Sequence, residues 1–339
     1  MEEGFALWAN PSSPHAEGRK ARAALEDARE RVKRALGWQG EVIFTSGASE
    51  AAALGRSWSR ADEQMLSTVE HDAILKPAFG AKIYRTELPV AQTGQTDLAK
   101  LQQALEDARR HDEIPLAIVQ DINSETGNRQ DSASISHSVR EAGGILLADC
   151  AQSAGKFPLP DADMLIVSAH KFGGPIGIGA LLVTDFNLMD APGGQERGYR
   201  RGTENLPGVL GMAAALEACG DPYLDPAIHE PLDQLAQECR DLGGTWLSDR
   251  LSDPTPYIRA IAMPNMSGSA QVMRFDMAGI SVSQGSACSS GTMKTSHVLQ
   301  AMQVEPEVAE RTIRASFGWN TTRQEVERFC ELWLELARS

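Results

Sequence analysis

Two kinds of apolar pattern alternate along the first 184 residues. Short, nearly continuous apolar runs predict strands at 41–45, 65–68, 81–85, 115–122, 144–150, 163–169 and 178–184. Charged or small-residue segments around and between them predict helices at 15–37, 46–58, 97–111 and 132–143. Strands buried on both faces lose the alternation of polar and apolar residues. The pattern therefore predicts an α/β fold with a mostly parallel sheet that helices cover on both faces.

The pattern changes after Gly220. Residues 220–233 contain three prolines and are typical of a linker. Beyond them the sequence predicts a helix at about 232–252, short strands, a Gly/Ser-rich loop at 281–291, a helix near 296–303, a strand at 312–319 and a final helix from about 322. We expect a large domain at 12–220 and a smaller α+β domain made of 1–11 and 221–339.

Charge and composition narrow the function classes. The 339 residues carry 46 acidic and 32 basic side chains, a net charge of −14. This balance argues against partners such as nucleic acids and anionic membranes. No apolar run reaches 18 residues, and no basic-then-apolar leader begins the chain, so we expect neither a membrane span nor a secretion signal. The five cysteines lie far apart without metal-ligand spacing, which favours free thiols in the cytoplasm and no structural metal.

Chemically capable residues follow several predicted strands. Residues 46–49, Ser-Gly-Ala-Ser, connect the first strand to a helix whose N-terminus could hold a phosphate. Asp149 follows a second strand, and His170 and Lys171 follow a third. Each residue alone is more often a helix cap or a solvated loop residue. Together at one sheet edge, they match the needs of pyridoxal phosphate (PLP): a lysine, an acid for the ring nitrogen and a phosphate cup.

Ten segments make the pattern more specific. They are NPSSPHAEGRKAR (10–22), FTSGASE (44–50), EHDAIL (70–75), NSETG (123–127), ADCAQSAGK (148–156), SAHKFGGPIGIGAL (168–181), GGQERGYRRGTEN (193–205), SQGSACSSG (283–291), SHVLQAM (296–302) and TIRASFG (312–318). In content and order they resemble the NifS/IscS-type cysteine desulfurases, which are class V aminotransferases of PLP fold type I. The resemblance implies a mostly parallel, seven-stranded sheet in the large domain.

The resemblance also implies roles around the cofactor ring. Lys171 would be the Schiff-base lysine, Asp149 would contact the ring nitrogen, and Gln152 would contact the phenolic oxygen. His71 would stack on the ring and transfer protons. The family has an asparagine near the phenolic oxygen, and either Asn123 or Ser124 corresponds to it here.

For the phosphate, the resemblance implies contacts from Ala48, Ser49, Ser168 and His170. The family usually has threonine at position 49, and Ser49 keeps the hydroxyl. Thr203 would complete the phosphate site of the other subunit, which implies a homodimer with shared sites.

For the substrate, the resemblance implies that Arg314 binds the α-carboxylate of L-cysteine, since guanidinium and carboxylate form two parallel hydrogen bonds. Cys288 would attack the substrate sulfur, leaving L-alanine and a persulfide. Its Gly/Ser-rich surroundings suit a thiol that must reach first the substrate and then a sulfur acceptor.

The sequence therefore predicts a cytoplasmic, PLP-dependent cysteine desulfurase that passes sulfur to an acceptor protein, either an iron–sulfur scaffold or a sulfur carrier. Alternatives are a selenocysteine lyase, a class V transaminase or a non-catalytic partner of a full-length desulfurase. The thiol loop argues against a transaminase. The non-catalytic alternative rests on the short stretch of nine residues before the NPSS segment.

Overall fold

The fold is built on two β-sheets of unequal size. The computed structural model describes residues 1–7, 9–76, 84–220, 222–285 and 296–339. The larger sheet contains β1 (Glu41–Thr45), β2 (Glu63–Ser67), β3 (Tyr84–Leu88), β4 (Pro115–Gln120), β5 (Ile145–Asp149), β6 (Met164–Ser168) and β7 (Gly179–Val183). The smaller sheet contains β8 (Thr245–Trp246), β9 (Ile258–Ala262) and β10 (Thr312–Ser316). Cys288 lies outside the described residues.

The helices are arranged around both sheets. Within the described residues they are α1 (Glu2–Ala6), α2 (Ala16–Leu36), α3 (Ala48–Trp58), α4 (Asp72–Leu75), α5 (Leu98–Arg110), α6 (Ser132–Glu141), α7 (Leu206–Glu217), α8 (Glu230–Asp241), α9 (Gly268–Met277), α10 (His297–Ala301), α11 (Pro306–Arg311) and α12 (Arg323–Arg338). Both helix ends predicted for α2 are confirmed: His15 caps its N-terminus, and Gly37 ends it with a φ of 64°.

The larger sheet has the strand order β1-β7-β6-β5-β4-β2-β3. Only β7 runs against its neighbours, β1 and β6, and the other pairs are parallel. The predicted seven-stranded, mostly parallel sheet is therefore confirmed. The strands β4, β6 and β7 are buried at every position, which explains their nearly continuous apolar sequences, and β2 is equally buried although it includes the polar residues Glu63, Gln64 and Ser67.

Alternate side chains of the larger sheet enter two different cores. In β1, Val42 and Phe44 point into the core that contains α2 and α7, whereas Ile43 points into the core that contains α3. This division follows from the two-residue period of a strand. Helices on both faces bury both sets of side chains. Polar side chains of the sheet can therefore reach a ligand only at its edges, such as the carboxyl edge.

The smaller sheet is antiparallel, in the order β10-β9-β8. Its core includes Trp333, Phe275 and Ile313, all fully buried. The final helix begins at Thr322, where a capping box with Glu325 satisfies main-chain donors, as predicted from about residue 322.

The predicted helix at 232–252 is wrong in its second half. The helix α8 ends at Asp241, and Gly243 follows with a φ of 80°. This left-handed conformation ends the helix, and the chain then forms β8.

The division of the chain into two domains at residue 220 remains a prediction. Helix α1 packs against α7 beside the larger sheet, where Gly4 lies so close to Pro207 that a side chain would be 2.5 Å from its Cα. No helix within the described ranges has the length and apolar character needed to cross a bilayer.

One buried ion pair connects α2 and β1 to the segment that carries Thr203. The guanidinium of Arg29 binds both carboxylate oxygens of Glu196, at 2.8 and 3.1 Å, and it lies over the Phe44 ring. Glu196 also accepts the main-chain N–H of Phe44 at 2.9 Å. This arrangement explains how Glu196 and Arg197 keep positive φ angles in a segment without regular structure.

We predict that Glu196→Ala lowers the free energy of unfolding by about 3–5 kcal/mol, because it removes the buried two-pronged partner of Arg29 and leaves only the partly exposed Glu26, at 3.0 Å, as a counter-charge. Urea denaturation followed by circular dichroism measures the loss. The matched control is Glu217→Ala, which breaks the solvent-exposed pair between Arg31 and Glu217. That control should cost no more than about 1 kcal/mol. Equal losses in the two variants would contradict the prediction.

Candidate active site

A cavity of about 400 Å³ lies at the carboxyl edge of the larger sheet. It brings together most of the predicted site residues, namely Ala48, Ser49, His71, Ser124, Asp149, Gln152, Ser168, His170, Lys171 and Arg314. These residues are spread over 267 positions of the chain and come from five strand ends and the smaller sheet. Their convergence follows from the parallel strands, whose carboxyl ends share one edge.

The turn between β1 and α3 forms one end of the cavity. Helix α3 starts directly at Ala48, so its first main-chain N–H groups have no partner within the helix. A side chain on Gly179 of β7 would lie 2.8 Å from the Cα of Gly47, so this close approach needs glycine. The Ser46 N–H and Arg200 hold Glu50, and these bonds lower its pKa although burial acts to raise it. The turn is thus firmly held and suits a phosphate group.

Two side chains from the end of β6 extend this anion-binding surface. The Ser168 hydroxyl and the Nδ1 atom of His170 are 3.0 Å apart. Burial lowers the pKa of His170, and the nearby cations Lys171 and Lys156 lower it further. A neutral imidazole and a hydroxyl can both donate hydrogen bonds to a phosphate.

Lys171 reaches the cavity from a short 3₁₀ turn, Ala169–Phe172, that follows β6. Gly173 ends the turn with a φ of 87°, and a side chain there would lie 2.4 Å from Nε1 of Trp319. The turn therefore requires glycine, and the smaller-sheet part of the chain touches the lysine-bearing turn through Trp319.

Asp149 ends β5 and lines the same cavity. Burial raises its pKa, whereas the Ala151 N–H, His71 and Lys171 act to lower it, and Asp121 raises it again. Its Oδ1 atom accepts the Ala151 N–H at 2.9 Å. A buried acid of this kind gains a partner when a protonated ring nitrogen approaches it, so the residues present fit PLP.

His71 both caps a helix and lines the cavity. Its Nδ1 atom accepts the Ala73 N–H at 3.1 Å at the start of α4. The neutral ring therefore carries its proton on Nε2. Capping fixes the orientation of the ring, so the structural and the predicted chemical roles of His71 are compatible.

Of the two candidates Asn123 and Ser124, only Ser124 lines the cavity. The Asn123 amide is used within its own turn, where it accepts the N–H groups of Glu125 and Thr126 and donates to the Val69 carbonyl. Arg314 donates to the main-chain oxygen of Ser124 at 3.0 Å, which joins β10 to the cavity wall.

Thr203, like Asn123, does not line this cavity within the described structure. It is exposed on the segment held by Glu196. Cys288 is outside the described residues, but the chain on either side of it is anchored at the site. Ser283 exchanges two main-chain hydrogen bonds with Arg314, and the His297 ring lies 2.9 Å from the Glu70 carbonyl, next to His71.

The other four cysteines are free thiols with other environments. Burial raises the pKa of Cys150 and Cys219, and it raises the pKa of both Cys239 and Cys330 to about 12. None of these four is poised as a thiolate near neutral pH. Among the described residues, no group of His, Cys, Asp and Glu side chains has a metal-binding arrangement.

Sequence reasoning missed Gln120 and Ile176 as cavity residues. Gln120 ends β4, so the rule that ligands gather at strand ends could have found it. Ile176 has no such signal, since its position depends on how the loop after Lys171 folds.

Comparisons with known proteins agree with the geometry. The family model for aminotransferase class-V matches residues 5–329. A cysteine desulfurase from Cereibacter sphaeroides is 36% identical over 95% of this chain and 87% of its own length. Cysteine desulfurase IscS from Dictyoglomus turgidum is 33% identical over 94% of this chain and 84% of its own length.

Solved structures give the same result. A NifS-like protein superposes with a TM-score of 0.84 at 28% identity, covering 99% of this chain and 94% of that one. A NifS-like protein from Rickettsia africae superposes with a TM-score of 0.86 at 27% identity, covering 100% and 95%. Together with the family match over nearly the whole length, these likenesses confirm the resemblance seen in the ten segments: the chain belongs to the aminotransferase class-V family.

Proposed function

We propose that this protein is a PLP-dependent cysteine desulfurase that converts L-cysteine to L-alanine and places the sulfur on Cys288 as a persulfide. The observation that carries the proposal is the convergence of Lys171, Asp149, His71 and Arg314 on one cavity that also has a phosphate-binding end. The relatives named cysteine desulfurases support the choice among class V reactions.

The residues that line the cavity support a place for each part of the cofactor. The N-terminus of α3, Ser168 and His170 would hold the phosphate, and Asp149 would pair with the ring nitrogen. Lys171 would hold the cofactor covalently. When bound, PLP supplies an electron sink that stabilises negative charge on the substrate carbon.

The protein's own groups bind the substrate and move its protons. Arg314, which lines the cavity from β10, would bind the α-carboxylate. Its guanidinium is already oriented by the Ser124 carbonyl. The amine of Lys171 and Nε2 of His71 are the groups that can hold a proton close to the substrate, because Nδ1 of His71 is occupied by the Ala73 N–H.

The sulfur transfer is a displacement by Cys288. Its thiolate attacks the substrate sulfur, so an S–S bond forms and the substrate C–S bond breaks with its electron pair left on carbon. That carbon takes a proton and leaves as L-alanine, and the enzyme keeps a persulfide. The anchors at Ser283 and His297 attach the ends of this loop to the substrate-binding and proton-transferring residues.

We further propose a cytoplasmic homodimer in which Thr203 completes the partner's phosphate site. Thr203 is exposed on its own subunit, and Ile176 at the cavity mouth is 84% exposed. Met1 lies against Gly211 beside Pro175, close to Ile176, and is also exposed. An apolar rim of this kind favours burial against a second copy.

The reactive thiol requires a reducing compartment, and an acceptor protein with its own thiol would receive the sulfur.

We predict that Cys288→Ala and Lys171→Ala each lower sulfide release from L-cysteine by on the order of 10³-fold or more, since each removes a group that reacts covalently. Alanine and sulfide are quantified with a reductant present, and the visible spectrum reports bound PLP. The matched control is Cys219→Ser, whose hydroxyl can keep the hydrogen bond to the Ala215 carbonyl. It should remain active.

The outcome separates the alternatives. Equimolar alanine and sulfide from the wild type, lost in both variants, support the desulfurase. A wild type that binds no PLP favours a non-catalytic partner, and one that releases alanine from selenocysteine alone favours a selenocysteine lyase. Undiminished turnover in Cys288→Ala would refute the role of the thiol.

We predict that subunits carrying Thr203→Ala and Lys171→Ala complement each other when co-expressed. A mixed dimer would contain one site with both native residues, so PLP binding and activity should return at about one site per dimer. The measurement is PLP stoichiometry and turnover of the mixed dimer, isolated with two different tags. If Thr203 acts within its own subunit, no native site exists and no recovery occurs.

A further inference from the structure

Glu70 is a fully buried carboxyl group directly before His71 in the chain. Its Oε1 atom accepts the Gln120 N–H at 2.7 Å. Its Oε2 atom has no hydrogen-bond partner among the described residues. A buried polar atom without a partner is costly, so its retention beside an active site calls for an explanation.

The sheet places Glu70 near Asp149, the acid proposed to pair with the ring nitrogen. Strands β2, β4 and β5 are neighbours, and Glu70, Gln120 and Asp149 lie at or just beyond their carboxyl ends. Gln120 and Asp149 are register partners. The side chain of Gln120 also donates to the Val69 carbonyl at 2.5 Å, so it is fixed from both sides by the segment that carries Glu70.

The surroundings of Glu70 disfavour a negative charge. Burial raises its pKa well above the usual range and Asp149 raises it further, whereas only the Gln120 N–H acts to lower it. Lys171 and His71, which act to lower the pKa of Asp149, do not act in the same way on Glu70. Two ionised carboxylates in this dry site would repel each other, and one proton on the pair removes that repulsion.

We propose that Glu70 is a positioning residue that remains a neutral carboxylic acid and therefore adds no negative charge of its own beside Asp149 at the ring-nitrogen position. The inference rests on the proposed PLP site. Glu70 would act through its neighbours: its side chain holds Gln120 next to Asp149, and its main-chain carbonyl, bound by His297, fixes the start of the His71 segment.

The protonation state is tested on the full-length protein as purified. Infrared spectroscopy at pH 7 should show the C=O stretching band of a buried, protonated carboxyl group, and Glu70→Gln should remove it. Glu63→Gln is the matched control, because Glu63 is a buried glutamate at the other end of β2 and should leave the band in place. Absence of the band from the wild type overturns the proposal.

The positioning role is tested by PLP affinity. Glu70→Gln mimics the neutral acid and can still accept the Gln120 N–H, so its Kd for PLP should stay within about threefold of the wild type. Glu70→Ala leaves that N–H buried without an acceptor and should weaken binding roughly tenfold. The pH midpoint of the bound-cofactor absorbance should also be the same in Glu70→Gln and the wild type.

The two variants separate this proposal from its rivals. If Glu70 acts as an ionised group, Glu70→Gln will weaken PLP binding as severely as Glu70→Ala, or the pH midpoint of its cofactor absorbance will move by about one pH unit or more. Either result overturns the proposal. If Glu70→Ala does not fold, the infrared band and Glu70→Gln still decide. A wild type that binds no PLP but shows the band refutes the proposed function and leaves the neutral acid standing.

Discussion

The parallel register of β2, β4, β5 and β6 is the constraint on which the candidate site depends. In this register, the last residues of neighbouring strands stand side by side, as Gln120 does with Asp149. Groups that are far apart in the sequence thus come together at one cavity, and the helices bury the two faces of the sheet. The site is therefore a consequence of strand direction more than of any single loop.

Local sequence was sufficient for most of the framework. The charged α2 with its glycine stop, the apolar strands and the capped α12 all follow from patterns within about 20 residues. The site residues at strand ends were found for the same reason, since the strands themselves were recognisable. The helix predicted at 232–252 is a different case, because it extends too far. The pair Gly243-Gly244 is a local signal for a helix end, and α8 does end just before it.

Polar contacts between residues far apart in the chain could not be predicted from local sequence patterns. The Arg29–Glu196 pair joins residues 167 positions apart, and each side chain alone is typical of a solvent-exposed surface. The same holds for Glu70, whose neighbour His71 was recognised while its own burial depends on packing against β4. Such contacts depend on the arrangement of elements in space, and a pattern read along one strand or helix does not contain that information.

Charged groups of both signs act on one another at the cavity. Asp149 has Asp121 nearby, and Lys171 acts both on Asp149 and on His170. Burial, helped by Lys171, lowers the pKa of Lys156 to about 7, so this lysine carries only part of a positive charge near neutral pH. A neutral Glu70 adds no further negative charge beside Asp149 and Asp121, which favours the ionised form of Asp149 that the proposed pairing with a ring nitrogen requires.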